Sequence, residues 1–177
     1  MSIAVLKRLV VPPSSPLEVP LSPPWDNLEQ TIGTPLPNDF KACVETFGSG
    51  SFDNFLWVLN PFSANPHLRL ADQIKRTLGA LRELKSDDPE ELPYSLFPED
   101  EGLLPWGMTD NGDGLYWHTG GDTSRWTVVV NAARDPECEE FPLGLTDFLV
   151  QILSKKVRSD IFPGDFPHTN PAFHPRT

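Results

Sequence analysis

The residue types best suited to chemistry in this chain are its carboxylates, and Asp110 and Asp113 stand close enough to share a cation. They lie in the run Thr109-Asp110-Asn111-Gly112-Asp113-Gly114, which has the look of a calcium loop. With Gly114 aligned to the glycine of such a loop, the first ligand position is Thr109 and the twelfth is Gly120, so both outer carboxylates are missing. A glycine-rich hairpin turn is the expectation. His67, His118, His168 and His174 make neither an HExxH pair nor a Cys/His cluster, so no metal or other cofactor is predicted. Ser124, His118 and Asp122 are the residue types of a nucleophile, base and orienting acid. A triad is defined by geometry, however, and such neighbours arise by chance on hairpins, so no catalytic residue is assigned. Gly48-Ser49-Gly50-Ser51 lacks the lysine of a phosphate-binding loop and leads into a strand, and Ser49 fails the GxSxG pattern.

Binding is the better prospect. Between Lys85 and Arg125 lie ten carboxylates, five aromatic residues and no Lys or Arg. The acids are Asp87, Asp88, Glu90, Glu91, Glu99, Asp100, Glu101, Asp110, Asp113 and Asp122, in a chain whose net charge is −11. Gathered on one surface, they would repel nucleic acid and membrane headgroups and attract a cationic protein. The bland alternative is an ordinary solvated face of an acidic protein. Trp106, Tyr116, Trp117 and Trp126 do not read as a base-stacking platform, because the surrounding charge has the wrong sign. Core packing is their expected role, with Trp106 the candidate for an exposed anchor. The partner-binding residues expected from this reading are Glu99, Asp100, Glu101, Asp110 and Asp113, with Asp122 and Trp106 beside them. No small-molecule substrate is expected.

With 177 residues, 38% of them hydrophobic and five Trp, the chain can bury one core of its own. Its 20 prolines exceed ordinary usage and belong in loops and ends. Cys43 and Cys138 fit no redox or metal spacing, and reduced thiols in a cytoplasmic protein are expected. Lys7 and Arg8 interrupt the apolar run Ile3 to Val11 where an export signal would need it unbroken, and no window approaches the length of a membrane span.

These residues must be positioned by elements the periodicity can place. Residues 1–21 read as a proline-rich leader, with a short strand before its prolines. Trp25, Leu28 and Ile32 recur at helical spacing from a Ser22 cap to Gly33; Phe40, Cys43, Val44 and Phe47 do the same from Asn38 or Asp39 to Gly48. Phe52 to Leu59 reads as one buried strand. Asn65 and Pro66 open the longest helix, striped by Leu70, Ile74, Leu78, Leu81 and Leu84. Leu103 to Met108 and Leu115 to His118 form a hairpin, Trp126 to Asn131 a further strand, and Thr146 caps a last helix bearing Phe148, Leu149, Ile152, Leu153 and Val157. The expected fold is α+β: a small, mainly antiparallel sheet wrapped by about four helices over residues 22–160, followed by an irregular proline-rich tail, 161–177.

Several segments, taken in chain order, carry a further signal. They are Trp25-x-x-Leu28-Glu29 with Gly33, Leu36-Pro37-x-Asp39-Phe40-Lys41, and Phe47-Gly48-Ser49-Gly50-Ser51 leading into Phe55-Leu56-Trp57-Val58-Leu59-Asn60-Pro61. Leu103-Leu104-Pro105-Trp106-Gly107-Met108-Thr109-Asp110, the Gly112-Asp113 turn, Leu115-Tyr116-Trp117 and the segment from Trp126 to Leu153 follow in order. Together they resemble the SUKH superfamily, which groups fungal cell-wall synthesis regulators with bacterial immunity proteins; the resemblance spans roughly residues 22 to 158. It implies a helix-wrapped sheet, no enzymatic activity, and a variable surface that binds a cognate protein, which in many relatives is a toxin. The expected function is therefore an immunity protein covering the basic groove of a toxin, a nuclease among the possibilities. A cytoplasmic regulatory or scaffold protein is the alternative.

Overall fold

The computed structural model describes residues 3–88, 92–133 and 135–177. Among these residues five α-helices, α1 (Ile3–Leu9), α2 (Trp25–Ile32), α3 (Asn38–Phe47), α4 (Leu70–Asp87) and α5 (Leu145–Leu153), surround a seven-stranded sheet. Its strands are β1 (Gly50–Phe52), β2 (Leu56–Val58), β3 (Leu103–Thr109), β4 (Gly114–His118), β5 (Thr127–Asn131), β6 (Cys138–Phe141) and β7 (Phe173–Pro175). They lie in the order β6-β5-β4-β3-β2-β1-β7, every neighbouring pair antiparallel. The fold is α+β, as its sequence of helices and short-turn strands requires.

Side-chain alternation divides the core into two layers. Leu104, Trp106, Leu115, Trp117, Val128 and Val130 face the larger cluster, filled by α1, α3 and α5; Leu103, Tyr116 and Val129 face a smaller one with Leu78 and Leu81 of α4. Trp106, Trp117 and Trp126 form a chain of ring contacts inside the larger layer, with centroids 6.4 and 5.8 Å apart.

Several local expectations need correction. The span Phe52 to Leu59 is a hairpin of two strands, not one strand. Asp53 and Asn54 turn it at φ 53° and 55°, a left-handed region that short Asx side chains tolerate, and Phe55 N–H donates to the Phe52 carbonyl at 3.0 Å. The expected N-terminal strand is helix α1, whose Leu6 is buried in the larger cluster along with Val10 just after it. The helix containing Thr146 is capped from outside: the Asp39 carboxylate accepts from the Thr146 backbone N–H at 2.9 Å and its hydroxyl at 3.0 Å, placing an anion at the positive end of α5. Ser22 does not cap α2 either, since the residue before its first turn is Pro24.

Two strands were hidden from periodicity. β6 is short and largely acidic; β7 lies in the proline-rich tail and pairs with β1 through Phe52↔Phe173, Ser51↔His174 and Gly50↔Pro175. The buried Asp53 carboxylate ties this tail down, accepting from the backbone N–H of His168 at 2.8 Å and of Ala172 at 2.7 Å. Phe173 stacks edgewise on Phe52 and tilts against Phe47, while Phe162 and Phe166 pack on Phe55.

Candidate functional site

Strand geometry decides where the acids go. In β4, His118 pairs with Leu103 and Thr127 at one end of the sheet, and Gly114 pairs with Met108 and Asn131 at the other, so these ends are about 13 Å apart at ~3.3 Å per residue. Glu99, Asp100 and Glu101 precede β3 and Asp122 follows β4, which places them at the first end. Asp110 and Asp113, in the β3–β4 turn, fall at the second. The stretch from Lys85 to Arg125 is thus two acidic groups joined by strands, and Glu90 and Glu91 lie outside the described residues.

The first group sits on a clamped turn. Leu103 N–H donates to the Ser95 carbonyl at 2.9 Å, Phe97 N–H to Leu103 at 3.2 Å, Glu99 N–H to Leu96 at 3.0 Å and Gly102 N–H to Glu99 at 3.1 Å. Glu101 is held at φ 54°, a left-handed conformation that favours glycine, and Gly102 behind it has no room for a side chain because Phe97 and Leu96 backbone atoms occupy that space. Glu99, Asp100 and Glu101 are exposed and make no ion pair among the described residues.

Beside them is a shallow cavity of about 400 Å³, lined by Asp100, Glu101, His118, Arg125, Thr127 and Glu140 among others. Glu140 of β6 gathers three donors: His118 Nδ1 at 2.9 Å, the Thr127 hydroxyl at 2.9 Å and the Tyr94 hydroxyl at 3.4 Å. Burial pushes its carboxyl up, but the hydrogen bonds from His118, Thr127 and Tyr94 and the charge of His118 outweigh burial and hold it below its ordinary 4.5. A depressed carboxyl stabilises the fold fully above the unfolded value and loses that contribution as pH falls through the folded one. Glu140→Gln should therefore flatten the drop in stability below about pH 4.5, as read from urea midpoints along an acid series; an unchanged acid limb would remove Glu140 from the account.

The structure does not assemble Ser124, His118 and Asp122 into a triad. His118 turns to Glu140, whereas Asp122 accepts from Ser124 N–H at 2.8 Å and caps the short 3₁₀ turn Thr123–Arg125. Hydrogen bonds from Ser124, and the charge of the nearby Arg125, hold the Asp122 carboxyl below its ordinary range despite some desolvation.

At the second end, Asp110 is exposed, and its Oδ1 accepts from the Trp57 indole N–H at 2.7 Å. Two expected binding residues are structural instead. Asp113 is 5% exposed: it receives the Thr109 hydroxyl at 2.6 Å and the Ala133 N–H at 3.1 Å, closing the hairpin turn. Trp106 is fully buried between Trp117 and Phe148 and cannot anchor a partner, because its place in β3 turns the ring into the larger core layer. Among the described residues no group of three His, Cys, Asp or Glu side chains is placed to hold a metal ion. Cys43 and Cys138 are free thiols, and burial pushes both upward, Cys43 far more.

The sequence model of a family described as SMI1-KNR4 cell-wall, SUKH_6, matches residues 24–149, well over half of the chain. The chain belongs to that family. No curated protein and no solved structure gives a match. The match runs from the start of α2 into α5, so α1 and the tail that carries β7 lie outside it. SUKH domains are generally non-catalytic, and membership gives the domain a regulatory or immunity role exercised by protein binding in general terms. No helix among the described residues is long and apolar enough to cross a membrane.

Sequence reasoning missed the acids of the SUKH domain's edge strand. Asp135, Glu137, Glu139 and Glu140 lie in or just before β6, which runs along β5 between the two ends that hold the other acids. The signal was available, since the run Asp135-Pro136-Glu137-Cys138-Glu139-Glu140 contains no cation and none follows before Lys155.

Proposed function

We propose that this SUKH domain is a non-catalytic immunity protein that acts in the cytoplasm and neutralises a cognate basic toxin by covering its active-site groove. Glu99, Asp100 and Glu101 take the place of substrate phosphates, which makes a nuclease the fitting target class. One observation carries this reading: three exposed carboxylates without internal counter-ions are held on a turn whose backbone is fixed by its own hydrogen bonds. Solvated acids without a role need no such scaffold. Asp110 and Asp122 extend the surface, Asp110 oriented by Trp57.

A regulatory or scaffold role with an endogenous partner is favoured by the cell-wall description of the matched family. Affinity capture from the native host, followed by mass spectrometry, separates the two. Recovery of a cationic protein encoded beside this chain, whose toxicity co-expression suppresses, is the expected result. Recovery only of housekeeping proteins encoded elsewhere would replace immunity with the scaffold reading.

A further inference from the structure

The sheet's two edges are finished differently. At one, β7 lies outside β1 and carries Pro175, with Pro171 shortly before it, so the outer edge is poor in main-chain donors. At the other, no strand of the described residues lies beyond β6. Ala132 N–H donates to the Glu137 carbonyl at 3.0 Å, and the register continues as Asn131↔Cys138, Val130↔Glu139 and Val129↔Glu140. Antiparallel alternation then turns the main chain of Glu139 inward to Val130, leaving the N–H and C=O groups of Cys138 and Glu140 directed at the open edge.

The side chains along this edge select what can approach it. Glu137, Glu139 and Glu140 follow one another with Asp135 just before them. Glu139 Oε1 accepts from Asp160 N–H at 2.7 Å, while its buried Oε2 has no hydrogen-bond partner among the described residues, so the negative charge is incompletely compensated. A second copy of the chain would set glutamates against glutamates, which is unfavourable across paired strands. An extended segment bearing lysine or arginine meets both requirements: main-chain groups for Cys138 and Glu140, and cations for the flanking acids.

We propose that the β6 edge takes up such a cationic segment of the partner as an added strand, so that strand pairing, and not surface attraction alone, holds the complex. The inference rests on the reading of this domain as a captor of basic proteins. Its test compares a short synthetic peptide of alternating lysine and valine with a twin carrying the same side chains on an N-methylated backbone, each titrated into the full chain.

The unmethylated peptide should bind, and the twin should bind at least about tenfold more weakly. Amide exchange at Cys138 and Glu140 should slow with the first alone. Cys138→Pro, which removes an outward N–H and no ladder bond, should weaken the first peptide to the level of its twin. Equal binding of the twins without amide protection would overturn strand addition and leave charge-driven capture intact. Absence of any peptide binding would also overturn it, while sensitivity of the captured partner to acid reversal would still judge the parent reading. Dimerisation of the chain alone, read by light scattering, would assign the edge to a second copy and overturn the proposal equally.

Discussion

Replacing Glu99, Asp100 and Glu101 together by lysine should slow association with the captured toxin by roughly ten- to a thousandfold at low ionic strength. The same change should lessen the decline of the on-rate with added salt, because the steering field is the quantity that salt screens. The effect is expected to be large because each reversal replaces an attraction with a repulsion and because no cation among the described residues already neutralises these acids. Dissociation should change less, since exposed charges act mainly on encounter. All three side chains lie on the surface, so the folded state should tolerate the substitutions. Glu101→Gly serves as a companion: at φ 54° glycine relieves the backbone, and a variant of equal or greater stability with slower association would show that the acid is retained for binding. On-rates that stay at the wild-type level across the salt series would end the steering account.

Asp53→Ala should destabilise the fold by about 3 kcal/mol. Two backbone N–H groups, from His168 and Ala172, lose a buried carboxylate acceptor, and alanine is less at ease than aspartate at φ 53°. The loss should be local first: amide exchange at His168 and Ala172 should accelerate before the rest of the sheet opens, because these contacts hold the tail against β1. Asp53→Asn tolerates the turn and keeps one acceptor, so it should fall between wild type and Asp53→Ala. A urea midpoint for Asp53→Ala that matches wild type, or uniform acceleration of exchange throughout the core, would contradict the assignment of Asp53 as the tail's anchor.

What could be read from the chain alone follows from the range of the interactions involved. The stripe Phe40, Cys43, Val44 and Phe47 places α3 because a helix is written at local spacing, and all four are buried. The β3–β4 hairpin was likewise legible, since its turn glycines and the apolar run Leu115, Tyr116 and Trp117 are local. The Asp39 cap on α5 was not, because its two partners are 107 residues apart. Nor was β7, whose three residues become a strand only because β1 presents an edge and Phe47 and Phe52 receive Phe173. For the site, composition located the acids but not their division, which depends on strand direction. It also misplaced Trp106 and Asp113: one is drawn into the core by alternation, the other into a turn by Thr109 and Ala133.

The Trp57 indole donates to Asp110 at the acidic rim, whereas Trp106, Trp117 and Trp126 lie buried with their rings in mutual contact. The molecule therefore carries its own optical reporter. A ligand that draws the Asp110 carboxylate away alters the emission of one peripheral fluorophore while Trp25 of α2 and the interior three supply a constant background, so engagement at that rim is visible without any attached dye.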